Sequence, residues 1–417
     1  MRRYLSLLFL INFVNVTAPA ADWPCWRGPN GLGVSSEKDL PVSWSKENNV
    51  AWTVSVPGTG ASSPIIVGDR VYLTSQTSDT GLHVIAIDRK TGAVAWDREI
   101  AQGKLKTNNL HNMATPTPAS DGAHIWVLFG TGDVACLDAD GKLVWHRNLV
   151  KEYGEYRTNH GMGTSPMLFE DKLYIACMHQ GPSYVLALNA ANGDVVWKKD
   201  RNLPPKDESQ DSYSSPIFVA TRTGTQLVLA GAEHVNAYAP ATGEQLWVCG
   251  GFRVATPNGR TIAGPTAGGD SIIAVASGFG NLGYTVALKT GGKGDITESH
   301  RQWTSKKFSP DCPTPVVYGN KVFQVRDDGL ASCLDLKSGE ADWQERLFSA
   351  NVKVSPVAAD SKIYFMNGNG SCTVVKAAPR LEILATNDLK ETTLSTPAIS
   401  HGQLFVRTQG HLYCVVR

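Results

Sequence analysis

The sequence predicts an all-β protein built as an eight-bladed β-propeller. Two phrases recur along its 417 residues: one surrounds a turn with glycine and tryptophan, and the other surrounds a proline. A third observation is a strand-like stretch near the N-terminus, at residues 49–58, that has no partner in its own unit. A repeat of about 40 to 50 residues that holds four short strands is typical of propeller blades.

The turn phrase is clearest in AIDRKTGAVAW, residues 86–96, which reads as a strand, a tight turn and a second strand. Asp88 can accept hydrogen bonds from the turn amides, and Gly92 can adopt the positive φ that such turns often require. The tryptophan offers a flat apolar surface to a neighbouring unit. The tryptophans expected to dock between blades are Trp52, Trp96, Trp145, Trp197, Trp247, Trp303 and Trp343.

The proline phrase is Ser/Thr-Pro or Gly-Pro, followed by an apolar strand, a polar turn and another strand, as in SSPIIVGDRVYLTS. Each unit then holds strand A after the proline, strand B after the polar turn, strand C before the glycine turn and strand D with the tryptophan. Because the phrase occurs in each unit, its copies predict the blades. The prolines are Pro64, Pro118, Pro166, Pro216, Pro265, Pro315, Pro356 and Pro397.

The two ends of the chain are predicted to meet in the last blade. Only three strands follow Pro397, so residues 49–58 supply the fourth, with Trp52 at the strand-D position. Such closure removes the exposed edges of an open ring. The seventh unit departs from the pattern, because residues 374–384 carry proline and leucine where glycine and tryptophan are expected. We therefore expect a distorted seventh blade.

The N-terminus reads as a secretory signal peptide over residues 1–20. Arg2 and Arg3 precede an apolar stretch that is too short to span a bilayer, and an Ala-Pro-Ala sequence offers a cleavage site. A retained N-terminal anchor is the alternative. Residues 21–48 are expected to pack on the ring, and residues 49–417 to form the propeller. We expect the mature chain to be exported.

Charge and hydropathy limit the classes of partner. The chain has 39 basic and 38 acidic residues, a net charge of +1 and no long charged run. This balance argues against a nucleic-acid partner, which would require clustered lysine and arginine. No stretch after the signal-like segment is apolar enough to span a membrane, and we expect a monomer.

The phrase A-x-D-x-x-T-G-x-x-x-W at Ala86–Trp96 resembles the tryptophan-docking motif of the pyrroloquinoline quinone (PQQ) repeat family, and the resemblance covers residues 49–417. The stretch DWPCWRGPNGLGVS is similar to the start of secreted bacterial members. The resemblance implies a quinoprotein alcohol dehydrogenase-like propeller in the periplasm or outside the cell. It leaves the activity open, because the repeat occurs in quinoprotein dehydrogenases and in non-catalytic relatives such as the outer-membrane assembly factor.

The dehydrogenases of this family hold PQQ with a calcium ion bound by Glu, Asn and Asp, a vicinal Cys-Cys disulfide and a tryptophan beneath the cofactor. If this chain were such an enzyme, the resemblance would imply the same features here. This sequence has no Cys-Cys dipeptide and no C-x-x-C-H haem motif. We therefore expect no cofactor, with PQQ and calcium as the alternative. Cys136, Cys333 and Cys414 take strand-C positions that hold alanine elsewhere, which predicts core residues and not disulfide partners.

Polar residues precede strand A in successive units. In a closed ring these loops meet around the axis on one face, so their side chains form a candidate binding mouth. A water-filled channel with a merely polar rim is one alternative, and a metal site of His111, His160 and Asp211 is another. The candidate ligand-binding residues are His111, Asn112, Arg157, His160, Asp211, Tyr213, Arg260, Asp311 and Lys353.

The sequence therefore predicts a binding or scaffold protein of the bacterial envelope, without bound PQQ. Its partner would be an envelope protein or a polar or glycan ligand, with Arg260 as the contact for an anion. The alternative is an enzyme that uses the same mouth, either a PQQ-dependent oxidoreductase or a carbohydrate-active propeller.

Overall fold

A computed structural model describes residues 22–105, 107–205, 207–254, 259–277, 282–307 and 309–417. The predicted signal peptide therefore lies outside the described residues. The strands form eight sheets, which confirms the predicted all-β, eight-bladed propeller. Contacts between the A strands of neighbouring blades place strand A nearest the axis. No helix in the described part of the chain is long and apolar enough to cross a membrane.

The first four blades follow one another along the chain. Blade 1 contains β2 (Ile65–Val67), β3 (Arg70–Thr77), β4 (Gly81–Asp88) and β5 (Val94–Gln102). Blade 2 contains β6 (Ala119–Ser120), β7 (His124–Leu128), β8 (Asp133–Asp138) and β9 (Leu143–Asn148). Blade 3 contains β10 (Met167–Phe169), β11 (Lys172–Cys177), β12 (Tyr184–Asn189) and β13 (Val195–Asp200). Blade 4 contains β14 (Ile217–Thr221), β15 (Gly224–Gly231), β16 (His234–Tyr238), β17 (Gln245–Cys249) and β21 (Gly294–Asp295).

The remaining blades complete the ring. Blade 5 contains β18 (Thr266–Gly268), β19 (Ser271–Ala276), β20 (Tyr284–Lys289) and β22 (Arg301–Ser305). Blade 6 contains β23 (Val316–Tyr318), β24 (Lys321–Val325), β25 (Leu330–Asp335) and β26 (Ala341–Arg346), and blade 7 contains β27 (Val357–Ala359), β28 (Lys362–Met366), β29 (Ser371–Lys376) and β30 (Ile383–Asp388). Blade 8 contains β31 (Ala398–Ser400), β32 (Gln403–Arg407), β33 (His411–Val415) and β1 (Val50–Ser55). Short helices are α1 (Leu149–Tyr153) and the 3-10 helices at Pro29–Gly31 and Asp207–Gln210.

The N-terminal strand completes blade 8, as predicted. β1 pairs antiparallel with β33, so that Thr53 lies opposite Tyr413 and Val54 opposite Leu412. Trp52 packs against the same core cluster as the strands of blades 1, 7 and 8. The ring is therefore closed by strand pairing between the two ends of the described chain.

The tryptophans of the turn phrase join adjacent blades. Trp96 lies over Gly141 of the next blade, where a Cβ would come within 2.8 Å of the indole. Its indole N–H also donates a hydrogen bond of 2.9 Å to the Ala139 carbonyl. Glycine at this turn therefore supplies both a φ of +79° and the room that the indole requires. The same contact joins Trp52 to Gly92, Trp145 to Gly193, Trp197 to Gly243 and Trp303 to Gly339.

The irregular joint lies between blades 4 and 5. Trp247 is buried, but its indole N–H donates to Gln226 of its own blade at 2.9 Å. The longer C–D connection of blade 5 instead pairs β21 in parallel with β17, beside Trp247. The predicted distortion of blade 7 is wrong, because that blade keeps four paired strands. The Trp343 indole still donates to the Ala378 carbonyl at 3.2 Å, and a backbone acceptor does not require glycine.

Residues 23–35 run inside the ring against the A strands, whereas residues 41–45 lie against β28 and β30 of blade 7. Trp23 and Ile66 of blade 1 exchange two backbone hydrogen bonds, of 2.8 and 2.9 Å. Arg27 is fully buried, and burial lowers its pKa to about 9. Its guanidinium donates to the carbonyls of Thr314, Pro315 and Pro356 in blades 6 and 7. The segment is thus fixed to inner strands from different parts of the ring.

Candidate functional site

A belt of serine and threonine residues surrounds the axis at the start of strand A. The residue before the proline donates its backbone N–H to the side-chain oxygen of the equivalent residue in the next blade, at 2.8–3.0 Å. The sequence prediction treated these residues only as strand boundaries, although their hydroxyls are the signal for the belt. The bonds run from Ser63 to Thr117, Thr117 to Ser165, Ser165 to Ser215, Gly264 to Thr314, Thr314 to Ser355 and Thr396 to Ser63.

The belt forms part of the wall of the axial cup, a cavity of about 380 Å³. The rest of the wall comes mainly from the loops that lead into strand A, and Trp26 of the N-terminal segment also lines it. Because these loops belong to successive blades, the closed ring brings together side chains that are far apart in sequence. The predicted residues that line the cup are His111, His160, Tyr213, Arg260, Asp311 and Lys353.

Three predicted residues lie elsewhere. Asn112 donates to the Thr59 carbonyl at 3.1 Å and lines a smaller neighbouring cavity of about 170 Å³. Arg157 is exposed and does not line either cavity. Asp211 is fully buried, and burial raises its pKa. It accepts a hydrogen bond of 3.1 Å from the Tyr213 hydroxyl, so it positions a residue of the cup wall.

Glu208 connects two of the predicted residues. Its Oε1 lies 3.0 Å from Nε2 of His160 and 3.6 Å from Nε of Arg260, and its side chain is only 8% exposed. On its other side, Arg260 Nη2 lies 3.5 Å from Asp311 Oδ2. The sequence prediction missed Glu208 because its partners come from other blades, and their distances to it cannot be deduced from sequence spacing.

Asp327 contacts Lys353, another of the predicted residues that line the cup. Its Oδ1 lies 2.6 Å from Lys353 Nζ, and its Oδ2 accepts the backbone N–H groups of Asp311 at 2.8 Å and Cys312 at 3.1 Å. Burial raises the pKa of Asp311 and, well above its usual range, that of the Cys312 thiol. Asp327 lies between β24 and β25, and B–C loops share a face with the loops into strand A. That shared face is the signal that would have identified Asp327.

The cup has two unlike sides. The charged arc consists of His160, Arg260, Asp311 and Lys353 on the wall, together with Glu208 and Asp327, which contact them without lining the cavity. The loops on the other side of the ring, around blades 8 and 1, contribute Ala61, Leu110 and Leu394 to the wall. The cup therefore presents its ionic groups on one side, and on the other side the apolar groups lie beside the polar His111 and Asn108.

A candidate group of metal ligands lies within the arc. Asp311, Cys312 and Asp327 place their ligand atoms within 4.8 Å of one another. The predicted alternative of His111, His160 and Asp211 is not brought together as a ligand set, because His160 contacts Glu208 and Asp211 is buried behind Tyr213.

Comparison with known proteins places the chain in a family. A family model described as outer membrane protein assembly factor BamB matches residues 30–152, 84–345 and 295–417. The chain belongs to this BamB family. The match confirms the resemblance to PQQ-repeat propellers that the turn phrase indicated.

Relatives of this BamB-family chain are of two kinds. It is 23% identical to outer membrane protein assembly factor BamB of Yersinia pestis, over 72% of this chain and 73% of the relative. It is 24% identical to the polyvinylalcohol dehydrogenase of Sphingopyxis sp. strain 113P3, over 83% of this chain but only 54% of the enzyme. This chain thus matches about half the length of that dehydrogenase. A europium-containing methanol dehydrogenase superposes with a TM-score of 0.68 at 11% identity, over 96% of this chain and 98% of the enzyme, which shows a shared fold.

The cysteines of the BamB-family chain all lie among the described residues and are unpaired. Cys136, Cys333 and Cys414 are fully buried on strands, as their strand-C positions predict. Cys312 is the partly exposed one, and it lines the axial cup.

Proposed function

We propose that this protein is a binding or scaffold protein of the bacterial envelope, and that its axial cup takes a small polar ligand. The observation that carries the proposal is the convergence of polar side chains from successive loops on one cavity. Similarity to outer membrane protein assembly factors supports an envelope location and an envelope protein as a second partner of the ring. The signal-like residues 1–20 support export.

The dimensions and rigidity of the cup suit a small molecule. Its volume of about 380 Å³ falls in the range of about 300–1,000 Å³ that is usual for ligand pockets. Glu208 and Asp311 hold Arg260 from two sides, and Asp211 holds the Tyr213 hydroxyl. Side chains that are fixed before binding lose less conformational entropy when a ligand arrives.

The candidate ligand group of Asp311, Cys312 and Asp327 does not suit the calcium ion that would accompany PQQ. The Lys353 ammonium lies 2.6 Å from Asp327 Oδ1 and 3.6 Å from Cys312 Sγ, so a cation already contacts two of the three candidate ligands. A calcium ion there would face a like charge and a thiol, although calcium prefers oxygen ligands. We propose that the cup functions without this cofactor.

A PQQ-dependent oxidoreductase is the second candidate. The similarity to polyvinylalcohol dehydrogenase supports it, as does Trp26, an aromatic side chain on the cup wall. Both candidates use the same cavity, so one set of measurements can separate them.

The test is a thermal-shift and native mass spectrometry screen of the mature protein. The probes are neutral sugars, organic acids, amines, and PQQ with calcium. The comparison variant is Gly163→Leu, because Gly163 lines the cup and a Cβ there would meet its nearest neighbours at 3.7 and 3.9 Å. Such contacts are ordinary, so the leucine should fill the cup without disturbing the fold.

We expect at least one probe to stabilise the wild-type protein and not Gly163→Leu. The proposal fails if no probe of any class binds, or if binding survives in Gly163→Leu. A stoichiometric PQQ complex that oxidises an alcohol would instead favour the second candidate.

A further inference from the structure

We propose that the ligand of the axial cup is a neutral carbohydrate, with a sugar ring stacked on Trp26 and hydroxyls bound to the charged arc. This inference rests on the proposed function of the cup and names its ligand class. Three observations carry it: the charge balance of the arc, the position of Trp26 and the apolar side of the wall.

Carboxylates outnumber permanent cations in the described part of the arc. Asp311 lines the cup beside Arg260 and Lys353, while Glu208 and Asp327 contact these cations without lining it, so both cations already have carboxylate partners. An anionic ligand would compete with these contacts and meet surplus negative charge. The arc therefore favours a ligand that donates hydrogen bonds, and this replaces the expectation that Arg260 binds an anion.

Sugar hydroxyls match the groups that the arc presents. A hydroxyl both donates and accepts, so one sugar ring can donate to a carboxylate such as Asp311 and accept from Lys353. Hydrogen bonds to charged groups are stronger than those between neutral groups. A neutral polyol gains such bonds without the desolvation cost of bringing a further charge into the cup.

Trp26 supplies the apolar surface that a sugar ring requires. It lines the cup and is partly exposed, and its Cη2 would lie 3.7 Å from a Cβ at Gly264. The buried Arg27 fixes the backbone beside it through several main-chain carbonyls. A flat, immobile aromatic ring is suited to the face of a pyranose that carries C–H groups. Leu110 and Leu394 extend this apolar surface along the wall.

The experiment measures binding of methyl β-D-glucopyranoside, cellobiose and maltose by saturation-transfer NMR and calorimetry. Citrate and PQQ serve as anionic comparators. We expect at least one sugar to bind more tightly than citrate, and Trp26→Ala to weaken that binding about tenfold or more. Trp343→Phe is the matched control, because Trp343 lies at a blade joint and does not line the cup.

Two further variants keep the test decisive. Trp26→Tyr retains an aromatic face and should retain most of the affinity, whereas Trp26→Leu retains apolar bulk and should not. Trp26→Leu replaces Trp26→Ala if the alanine variant does not fold. The carbohydrate inference is overturned if only citrate or PQQ binds, or if sugar binding is equal in Trp26→Leu and wild type. Binding of an anion that Gly163→Leu abolishes would leave the proposed function standing, whereas no binding by any probe would remove both.

Discussion

Trp197 of blade 3 lies so close to Gly243 of blade 4 that a Cβ at Gly243 would sit 2.6 Å from the indole Cε3. The indole N–H also donates to the Pro240 carbonyl at 2.8 Å. The tryptophan and glycine of the turn phrase therefore form one contact between two blades, although they belong to different copies of the phrase.

Gly243→Ala should destabilise the protein more than Gly319→Ala. Both glycines have positive φ, but a Cβ at Gly319 would meet nothing within 4 Å, so that variant has only the backbone strain. Displacing Trp197 should cost about 1–3 kcal/mol more, as overpacking does elsewhere. Urea denaturation of both variants measures the difference. Equal losses of unfolding free energy in the two variants would show that Trp197 does not require the absence of a Cβ at Gly243.

Deletion of residues 21–56 should cause aggregation. The deletion removes β1, which leaves β33 with an unpaired edge, and it removes the buried Arg27. Exposed strand edges promote association between chains. Size-exclusion chromatography and a melting curve test this expectation. A monomeric product with unchanged melting would contradict the role of the N-terminal strand.

His160→Ala should leave the melting temperature nearly unchanged and weaken ligand binding, because the His160 side chain is one-third exposed. Arg260→Ala should instead also destabilise the fold. Its removal leaves Glu208, which is 8% exposed, and Asp311 without a shared cation, and breaking a buried ion pair costs roughly 3–5 kcal/mol. Thermal melting and calorimetric titration of both variants separate the two effects. Similar melting temperatures for the two variants would indicate that Arg260 is not a structural part of the wall.

Lys353→Met should create affinity for calcium that the wild-type protein lacks. The substitution removes the ammonium that contacts Asp327 and Cys312, while the two carboxylates of the cluster remain. Terbium luminescence and a calcium-dependent thermal shift measure the change. Lys321→Met is the control, because Lys321 contacts Asp335 and Asp342 on another part of blade 6. Tight calcium binding by the wild type would show that the Lys353 ammonium does not keep calcium away from Asp327 and Cys312.

His179 should make the fold sensitive to acid. Burial lowers its pKa to about 4, and its Nδ1 accepts the backbone N–H groups of Arg157 and Gly181. The unfolded chain binds this proton near pH 6.5, so the stabilisation is present above that pH and is lost as the pH falls toward 4. His179→Asn keeps an acceptor but does not titrate, and should reduce the acid-dependent loss by roughly 3 kcal/mol. The test measures the free energy of unfolding of the wild type and of His179→Asn across this pH range. Identical dependence of that free energy on pH in the two proteins would refute the prediction.

The fold was predictable because its signals are local. A turn glycine, a tryptophan and a proline recur within each unit, and each acts on its immediate neighbours. The exceptions follow from the same contacts: Trp343 keeps its docking bond because Ala378 offers a backbone carbonyl, whereas Trp247 loses its own because the facing turn is longer. Neither the Trp343 contact nor the Trp247 contact can be deduced from the side chains of the turn phrase.

The candidate site was predictable only in part. Ring closure explains why residues such as Lys353 line one cavity, so the loops could be chosen from the sequence. Glu208 could not be predicted, because its role depends on distances between blades, whereas the position of Asp327 in a B–C loop was a signal that the prediction did not use. Trp26 belongs to the segment that was expected only to pack on the ring, and it lines the cup because that segment runs inside the ring.

The pairing of β1 with β33 has a consequence for the order in which the protein can be made. β1 is synthesised before the other described strands, and its partner β33 is synthesised after them. The ring can therefore close only after β33 has been synthesised, when every other described strand is already present. A chain that stops short of β33 leaves β1 without its partner, so blade 8 forms only in chains that extend through β33.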